Sequence, residues 1–203
     1  MRSIYFAFAF GVFALGVFAL SLSPALLAQD LTGYSQEEIM SFAVPGPEHD
    51  ILKHFEGTWD YTMKINTEMK PGGAMVKSSG NGTAMLIIGG RFIMFNHNME
   101  FMGMKGESMH IMGFDRRFKK YFMFGIDAFG TYYIISEGHS DPEKKTIKLE
   151  GIDEWPKKGG GTVKMPYRMH YTLVEPGKYT FNVEFKDKSG DYYTMVEGAA
   201  TKK

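Results

Sequence analysis

The chain has 203 residues, of which 44% are hydrophobic and 23% are charged, as in a globular protein with a sizeable core. Its 23 Lys and Arg residues balance 23 Asp and Glu residues, so the chain lacks the positive excess with which nucleic-acid-binding proteins neutralise phosphates. It contains no cysteine, which excludes disulfide bonds, thiolate metal sites and a cysteine nucleophile. Nucleic acid is therefore not an expected partner.

Residues 1–28 have the pattern of a secretory signal peptide. Arg2 provides the positive start, residues 4–22 form an apolar run, Pro24 breaks it, and Ala28 offers a small residue for cleavage before Gln29. An uncleaved membrane anchor is the alternative, since the apolar run approaches the roughly 20 residues that span a bilayer. We expect cleavage near Ala28 and an exported protein, periplasmic or secreted, without a stable membrane anchor.

Two short helices are predicted before the strands begin. Residues 29–44 form a polar lead-in, where Ser35 and Glu38 have the spacing of a capping box and predict one helical turn. A second helix is predicted from Pro47 to Phe55, because proline fits the first position of a helix. A helix this short is not stable alone, so it must pack against the rest of the protein.

From Thr58 onward the apolar residues recur with a period of two, which indicates β-strands. Turn signals divide the chain into about ten strands, predicted at residues 58–69, 74–87, 91–101, 106–115, 120–127, 131–139, 146–155, 163–175, 178–186 and 191–201. Short connections favour antiparallel neighbours. We predict one all-β domain over residues 45–203, an antiparallel up-and-down barrel whose N-terminal helix closes one end.

Several motifs carry a resemblance to a known family. They are PGPEH at 45–49, GTWD at 57–60, GGRF at 89–92, GFDRRFKKY at 113–121 and IDAFGT at 126–131. Their order and spacing resemble the bacterial DUF1579 family, a domain of unknown function, across about residues 45–200. The resemblance implies a calycin-like barrel, distantly similar to lipocalins, fatty-acid-binding proteins and the haem-binding nitrobindins, and it brings no established activity.

The family motifs also supply candidate polar residues. These are Glu48, His49, Arg91 and Asp127. Glu48 and His49 could perform acid–base chemistry at the barrel mouth, but helix capping and structural hydrogen bonds also account for them. Gly125 stands where the resemblance leads us to expect an aromatic residue, which predicts a widened or reshaped pocket if this position lines the cavity.

The alternating strands predict which side chains face the barrel interior and could line a ligand cavity. The candidates are Trp59, Tyr61, Met63, Phe122, Phe124, Tyr167, Met169, Tyr171, Phe181 and Val183. Trp59, in a Gly-x-Trp motif like the one that opens lipocalin chains, is expected to form the floor of the barrel. The inward or outward direction of the central, methionine-rich strands is left open.

Two metal-containing alternatives come from the histidines and methionines. The resemblance to the nitrobindins implies haem as an alternative ligand, held by His170, although the alternation of Tyr167, Met169 and Tyr171 places His170 on the outer face. Copper is suggested by thioethers and imidazoles in the middle of the chain, at Met94, Met99, Met102, Met104, Met109, Met112, His97 and His110. Filling of the core or lining of a cavity explains these methionines more simply.

No catalytic motif is present: the chain has no Gly-x-Ser-x-Gly elbow, His-Glu-x-x-His motif or dinucleotide fingerprint. We therefore predict no catalytic residue, no metal and no cofactor, with haem as the alternative. The sequence predicts an exported barrel that binds a small apolar molecule. The other hypothesis is a structural or interaction module whose interior is filled by its own side chains.

Overall fold

The computed structural model describes residues 32–101 and 103–203, so the predicted signal peptide and its cleavage position lie outside the described residues. Within that part of the chain, no helix is long and apolar enough to cross a membrane. The chain divides into two units, one ending at Val44 and one spanning Pro45–Lys203. In the first unit, helix α1 spans Gln36–Phe42. The capping box is confirmed, since Glu38 N–H donates to Ser35 Oγ and Ser35 N–H donates to the Glu38 carboxylate.

The second unit is a closed antiparallel barrel. Its strands, within the described residues, are β1 (Gly57–Asn66), β2 (Met75–Ile87), β3 (Phe92–Phe101), β4 (Met104–Asp115), β5 (Lys120–Asp127), β6 (Ile134–Asp141), β7 (Thr146–Pro156), β8 (Thr162–Glu175), β9 (Lys178–Lys186) and β10 (Tyr192–Lys202). Each strand pairs with its neighbours in sequence, and β1 pairs with β10 to close the barrel. The predicted all-β, ten-stranded up-and-down barrel is confirmed.

The helix that closes one end of the barrel is shorter than predicted. A 3₁₀ turn at Pro47–His49 leads into α2, which spans Asp50–Lys53. After Lys53 the chain tightens, because Phe55 N–H donates to the carbonyl three residues back at 3.1 Å. We call residues 47–55 the helical segment. Its residues Leu52 and Phe55 are fully buried, so the segment fills its end of the barrel.

Trp59 connects the helical segment to the first strand. Its indole N–H donates to the Phe55 carbonyl at 2.8 Å. Its ring lies 4.8 Å from that of Tyr179, which also contacts Phe55 at 5.1 Å in an edge-to-face arrangement. Aromatic pairs of this geometry contribute about 0.5–1.5 kcal/mol beyond their burial. The expected role of Trp59 as part of the barrel floor matches this packing.

Inward-facing aromatic rings are accommodated by glycines on the neighbouring strands. Phe181 lies beside Gly198, its partner in register, and Tyr167 lies beside Gly151. A Cβ atom at either glycine would collide with the adjacent ring. Glycine at these strand positions therefore permits the close approach that packs large rings inside the barrel.

Replacing Trp59 by Phe tests the link between helix and strand. The substitution removes the indole donor and leaves the buried Phe55 carbonyl without this partner, so we expect a loss of about 1–3 kcal/mol in the free energy of unfolding. Trp155→Phe is the matched control: Trp155 is 39% exposed and should change stability by less than about 0.5 kcal/mol. Urea unfolding measures both, and equal losses in the two variants contradict the assigned role.

Candidate functional site

The half of the barrel away from the helical segment contains a cavity of about 360 Å³. Trp59, at the start of β1, contacts the helical segment, whereas Met63 and Ile65, farther along β1, line the cavity. Tyr171 and Tyr179 line it as well, and both rings contact Phe55. These two tyrosines therefore separate the packed end of the barrel from the cavity.

Most of the predicted cavity residues are brought together here. Six of the ten line the cavity: Tyr61, Met63, Met169, Tyr171, Phe181 and Val183. Trp59 and Tyr167 are buried in the core but do not line it. Tyr167 instead donates its hydroxyl to the Ile135 carbonyl at 3.0 Å, and burial raises its pKa to about 12.

The prediction is corrected at Phe122 and Phe124, which lie on the opposite face of β5. The buried residues of this strand are Tyr121, Met123 and Gly125. Phe122 packs against Phe92 at 6.0 Å, and Phe124 stacks on Tyr133 at 5.9 Å. Because β5 carries large apolar side chains on both faces, alternation could not identify the inner one.

The remaining cavity residues come mainly from the central strands. They include Ile65, His97, Met99, Phe101, Ser108 and Val196. On β3 the sequence did indicate the inward face, because the polar Asn96 alternates with Phe95 and His97 and marks the outer face. Both faces of β4 carry a mixture of polar and apolar residues, so the sequence did not indicate which face is inward.

Two histidines face each other across β3 and β4. The ring centroids of His97 and His110 are 5.2 Å apart, and His97 stacks on Phe95 with an interplanar angle of 6°. Both rings line the cavity. Gly125 makes room for this pair, since a Cβ there would lie 2.6 Å from Cδ2 of His110. The unusual glycine at this position thus provides space for an imidazole.

Burial keeps both imidazoles uncharged at neutral pH. Desolvation, with a smaller contribution from the neighbouring His110, lowers the pKa of His97 from 6.5 to about 3. Desolvation lowers the pKa of His110 to about 4, partly opposed by Asp127. A neutral imidazole offers one N–H donor and one nitrogen acceptor. Two such groups stand in a cavity wall that is otherwise largely apolar.

The edge of the cavity is formed by the loop between β5 and β6. Phe129 lines the cavity, is 49% exposed, and lies over Gly106 of β4. Asp127 accepts a hydrogen bond from the Phe129 backbone N–H at 2.8 Å, and Ala128 N–H donates to the Glu107 carbonyl at 2.8 Å. The motif residue Asp127 therefore holds the loop that positions Phe129 at the rim.

The motif residues Glu48 and His49 lie at the helical segment rather than at the cavity. Tyr121 donates its hydroxyl to the Glu48 carbonyl at 2.6 Å. His49 is buried, accepts a hydrogen bond from Gly46 N–H at 3.1 Å, and packs edge-on against Phe114. The PGPEH motif at residues 45–49 therefore packs against the GFDRRFKKY motif at residues 113–121.

Arg91 lies in the turn between β2 and β3. Its guanidinium donates to the Ile88 carbonyl at 3.0 Å, within the same turn. Ile88 has a positive φ of 50°, a conformation that β-branched residues rarely adopt, so this hydrogen bond holds an unusual backbone. The geometry of Arg91 supports a structural role.

Of the residues behind the metal-containing alternatives, His97, His110 and Met99 line the cavity together. His170 lies outside the cavity lining, next to Lys148 in register, on the face that alternates with the buried Tyr167 and Met169. Met99 lines the cavity and Met112 is buried, whereas Met104 is exposed. Met94 and Met109 alternate with the inward residues, and Met102 lies outside the described residues. Among the residues that are described, no group of three or more His, Asp or Glu is placed to hold a metal ion.

Comparison with known proteins identifies a family and a fold. The family model described as "Protein of unknown function (DUF1579)" matches residues 44–202. No curated protein matches the chain. The crystal structure of Rv2717c from M. tuberculosis superposes with a TM-score of 0.56 at 10% identity, covering 79% of this chain and 99% of that one. A de novo designed fluorescence-activating β-barrel has a TM-score of 0.38 at 11% identity, covering 76% of this chain and 98% of that one.

The two cavity histidines predict how stability depends on pH. Below about pH 6.5 the unfolded chain binds protons that the folded barrel excludes, so stability is lost as the pH falls towards about 4. Between pH 7.5 and pH 5.0 each histidine should cost up to about 2 kcal/mol. Replacement of His97 or His110 by Gln should reduce this loss in urea unfolding, and His139→Gln, at an exposed position on β6, should not. Equal pH dependence in all four proteins contradicts the assignment.

Proposed function

The chain belongs to the DUF1579 family of proteins of unknown function, and we propose that this member binds a small apolar molecule inside its barrel. The observation that carries the proposal is the cavity itself. Its volume of about 360 Å³ lies at the lower end of the roughly 300–1,000 Å³ of ligand sites. Its walls join aromatic, methionine and valine side chains with a few polar groups, which is the usual composition of such sites.

The size of the cavity favours binding over a purely structural barrel. The interior of an eight-stranded barrel is just wide enough for side chains to fill, and a ten-stranded one is wider. Here the side chains of the helical segment fill one end, and the other end keeps its space. A barrel that served only as a structural module would gain stability from filling that space, since cavities cost about 24 cal/mol per Å³ in large-to-small substitutions.

The residues that line the cavity would also allow it to adapt to different ligands and allow a ligand to enter. Met63, Met99 and Met169 place flexible thioether side chains around the space, and such residues adjust to ligands of different shape. Phe129 can move away from the rim without disturbing a strand, because it belongs to the connection between β5 and β6. The haem alternative gains no support, because His170 does not line the cavity.

Export is a separate part of the proposal and rests on the sequence pattern of residues 1–28 alone. N-terminal sequencing of the protein purified from its host tests it. We expect a mature chain that begins at Gln29, and recovery of the intact Met1 terminus would contradict cleavage.

A pair of matched substitutions tests the binding proposal. Val183 lines the cavity, so Val183→Phe should occupy it and weaken binding of the fluorescent apolar probe N-phenyl-1-naphthylamine at least tenfold. Val163→Phe makes the same change at a 40% exposed position outside the lining and should leave binding within twofold. Circular dichroism checks that both variants fold. Absence of probe binding by the unmodified protein, or equal affinity in the two variants, contradicts the proposal.

A further inference from the structure

Three polar side chains stand together on one side of the apolar cavity. We call His97, Ser108 and His110 the polar corner. His97 and Ser108 are register partners on β3 and β4, and His110 lies two residues beyond Ser108 on the same face. All three line the cavity. Ser108 is only 8% exposed.

The polar corner has unused hydrogen-bonding capacity. The buried Ser108 hydroxyl has no hydrogen-bond partner, and neither imidazole makes a hydrogen bond in the part of the chain that the structure describes. The nearby tyrosine hydroxyls, in contrast, have hydrogen-bond partners. Tyr179 donates to Tyr61 Oη at 3.3 Å, and Tyr171 donates to Met123 Sδ at 3.5 Å. An unpaired buried polar group costs about 1–3 kcal/mol. A ligand that bonds to the Ser108 hydroxyl removes that cost.

The surroundings select an uncharged group. None of the described residues that line the cavity is Lys, Arg, Asp or Glu. Asp127 acts on His110 electrostatically, but its carboxylate accepts the Phe129 N–H in the adjacent loop. An ionised carboxylate would lose its hydration here without gaining a cationic partner, which is strongly unfavourable. A neutral hydroxyl or carbonyl can bond to neutral imidazoles and to a serine hydroxyl.

We infer that the cavity recognises an apolar molecule bearing one uncharged hydrogen-bonding group, a hydroxyl, phenol or carbonyl, which is held by His97, Ser108 and His110. The inference deepens the proposed function and rests on it. Gly125 belongs to the same arrangement, because a side chain at that position would displace the His110 ring. The apolar part of the lining, with Met63, Phe181 and Val183, then accommodates the rest of the molecule.

Three probes with one carbon skeleton test the inference: butylbenzene, 4-butylphenol and 4-butylbenzoate, each competed against N-phenyl-1-naphthylamine at pH 7.5. At this pH the phenol is neutral and the benzoate is ionised. The measured quantity is the affinity ratio of 4-butylphenol to butylbenzene. This ratio should fall at least fivefold in Ser108→Ala and in His110→Leu. It should stay within twofold in Ser136→Ala, which removes a buried hydroxyl outside the cavity. The unmodified protein should bind the benzoate at least tenfold more weakly than the phenol.

The outcomes separate this inference from the proposed function. If butylbenzene binds and the ratio is the same in all variants, the polar corner does not hold the ligand, although the cavity still binds apolar molecules. If the benzoate binds as tightly as the phenol, the selection of an uncharged group is wrong. If butylbenzene does not displace the fluorescent probe at all, the proposed function itself fails. Retained binding of butylbenzene shows that Ser108→Ala is folded, so a loss of folding does not account for a changed ratio.

Discussion

The interior of a closed ten-stranded barrel is wider than its own strands need, and the rest of the structure depends on how that space is divided. The helical segment fills one end with Leu52 and Phe55, which are fully buried. The hydrogen bond from the Trp59 indole to the Phe55 carbonyl fixes the segment to β1. The inward side chains of the strands leave a cavity of about 360 Å³ at the other end. One end of the barrel is therefore packed with side chains, and the other end contains the cavity.

The family motifs lie at different ends of the barrel and have different structural roles. PGPEH and GFDRRFKKY meet at the closed end, where Tyr121 bonds to Glu48 and His49 packs on Phe114. They are explained by docking of the helical segment. IDAFGT lies at the open end, where Asp127 fixes the loop that carries Phe129 over the cavity rim. A family resemblance carried by structural motifs therefore indicates the architecture, whereas the polar corner lies outside these motifs.

The sequence predicted the barrel well because most strands alternate clearly and the turns are marked by Gly, Pro and Asp. In β1, β8 and β9 it also identified residues that line the cavity, such as Tyr61, Tyr171 and Val183. It failed on β5, where both faces are apolar and Phe122 and Phe124 were assigned to the wrong one. The proximity of His97 to His110 depends on the register between β3 and β4, which cannot be read from a single sequence. The polar corner consequently became visible only in the structure.

The central claim is that the open end of the barrel is an accessible apolar cavity, and xenon binding in crystals tests it most directly. Xenon enters apolar cavities without needing any specific chemical group. The account predicts an ordered xenon peak inside the barrel between Met63, Phe181 and Val183, on the side away from the helical segment. A crystal structure with no xenon in the interior, and with Phe129 or the methionine side chains filling that space, would contradict it.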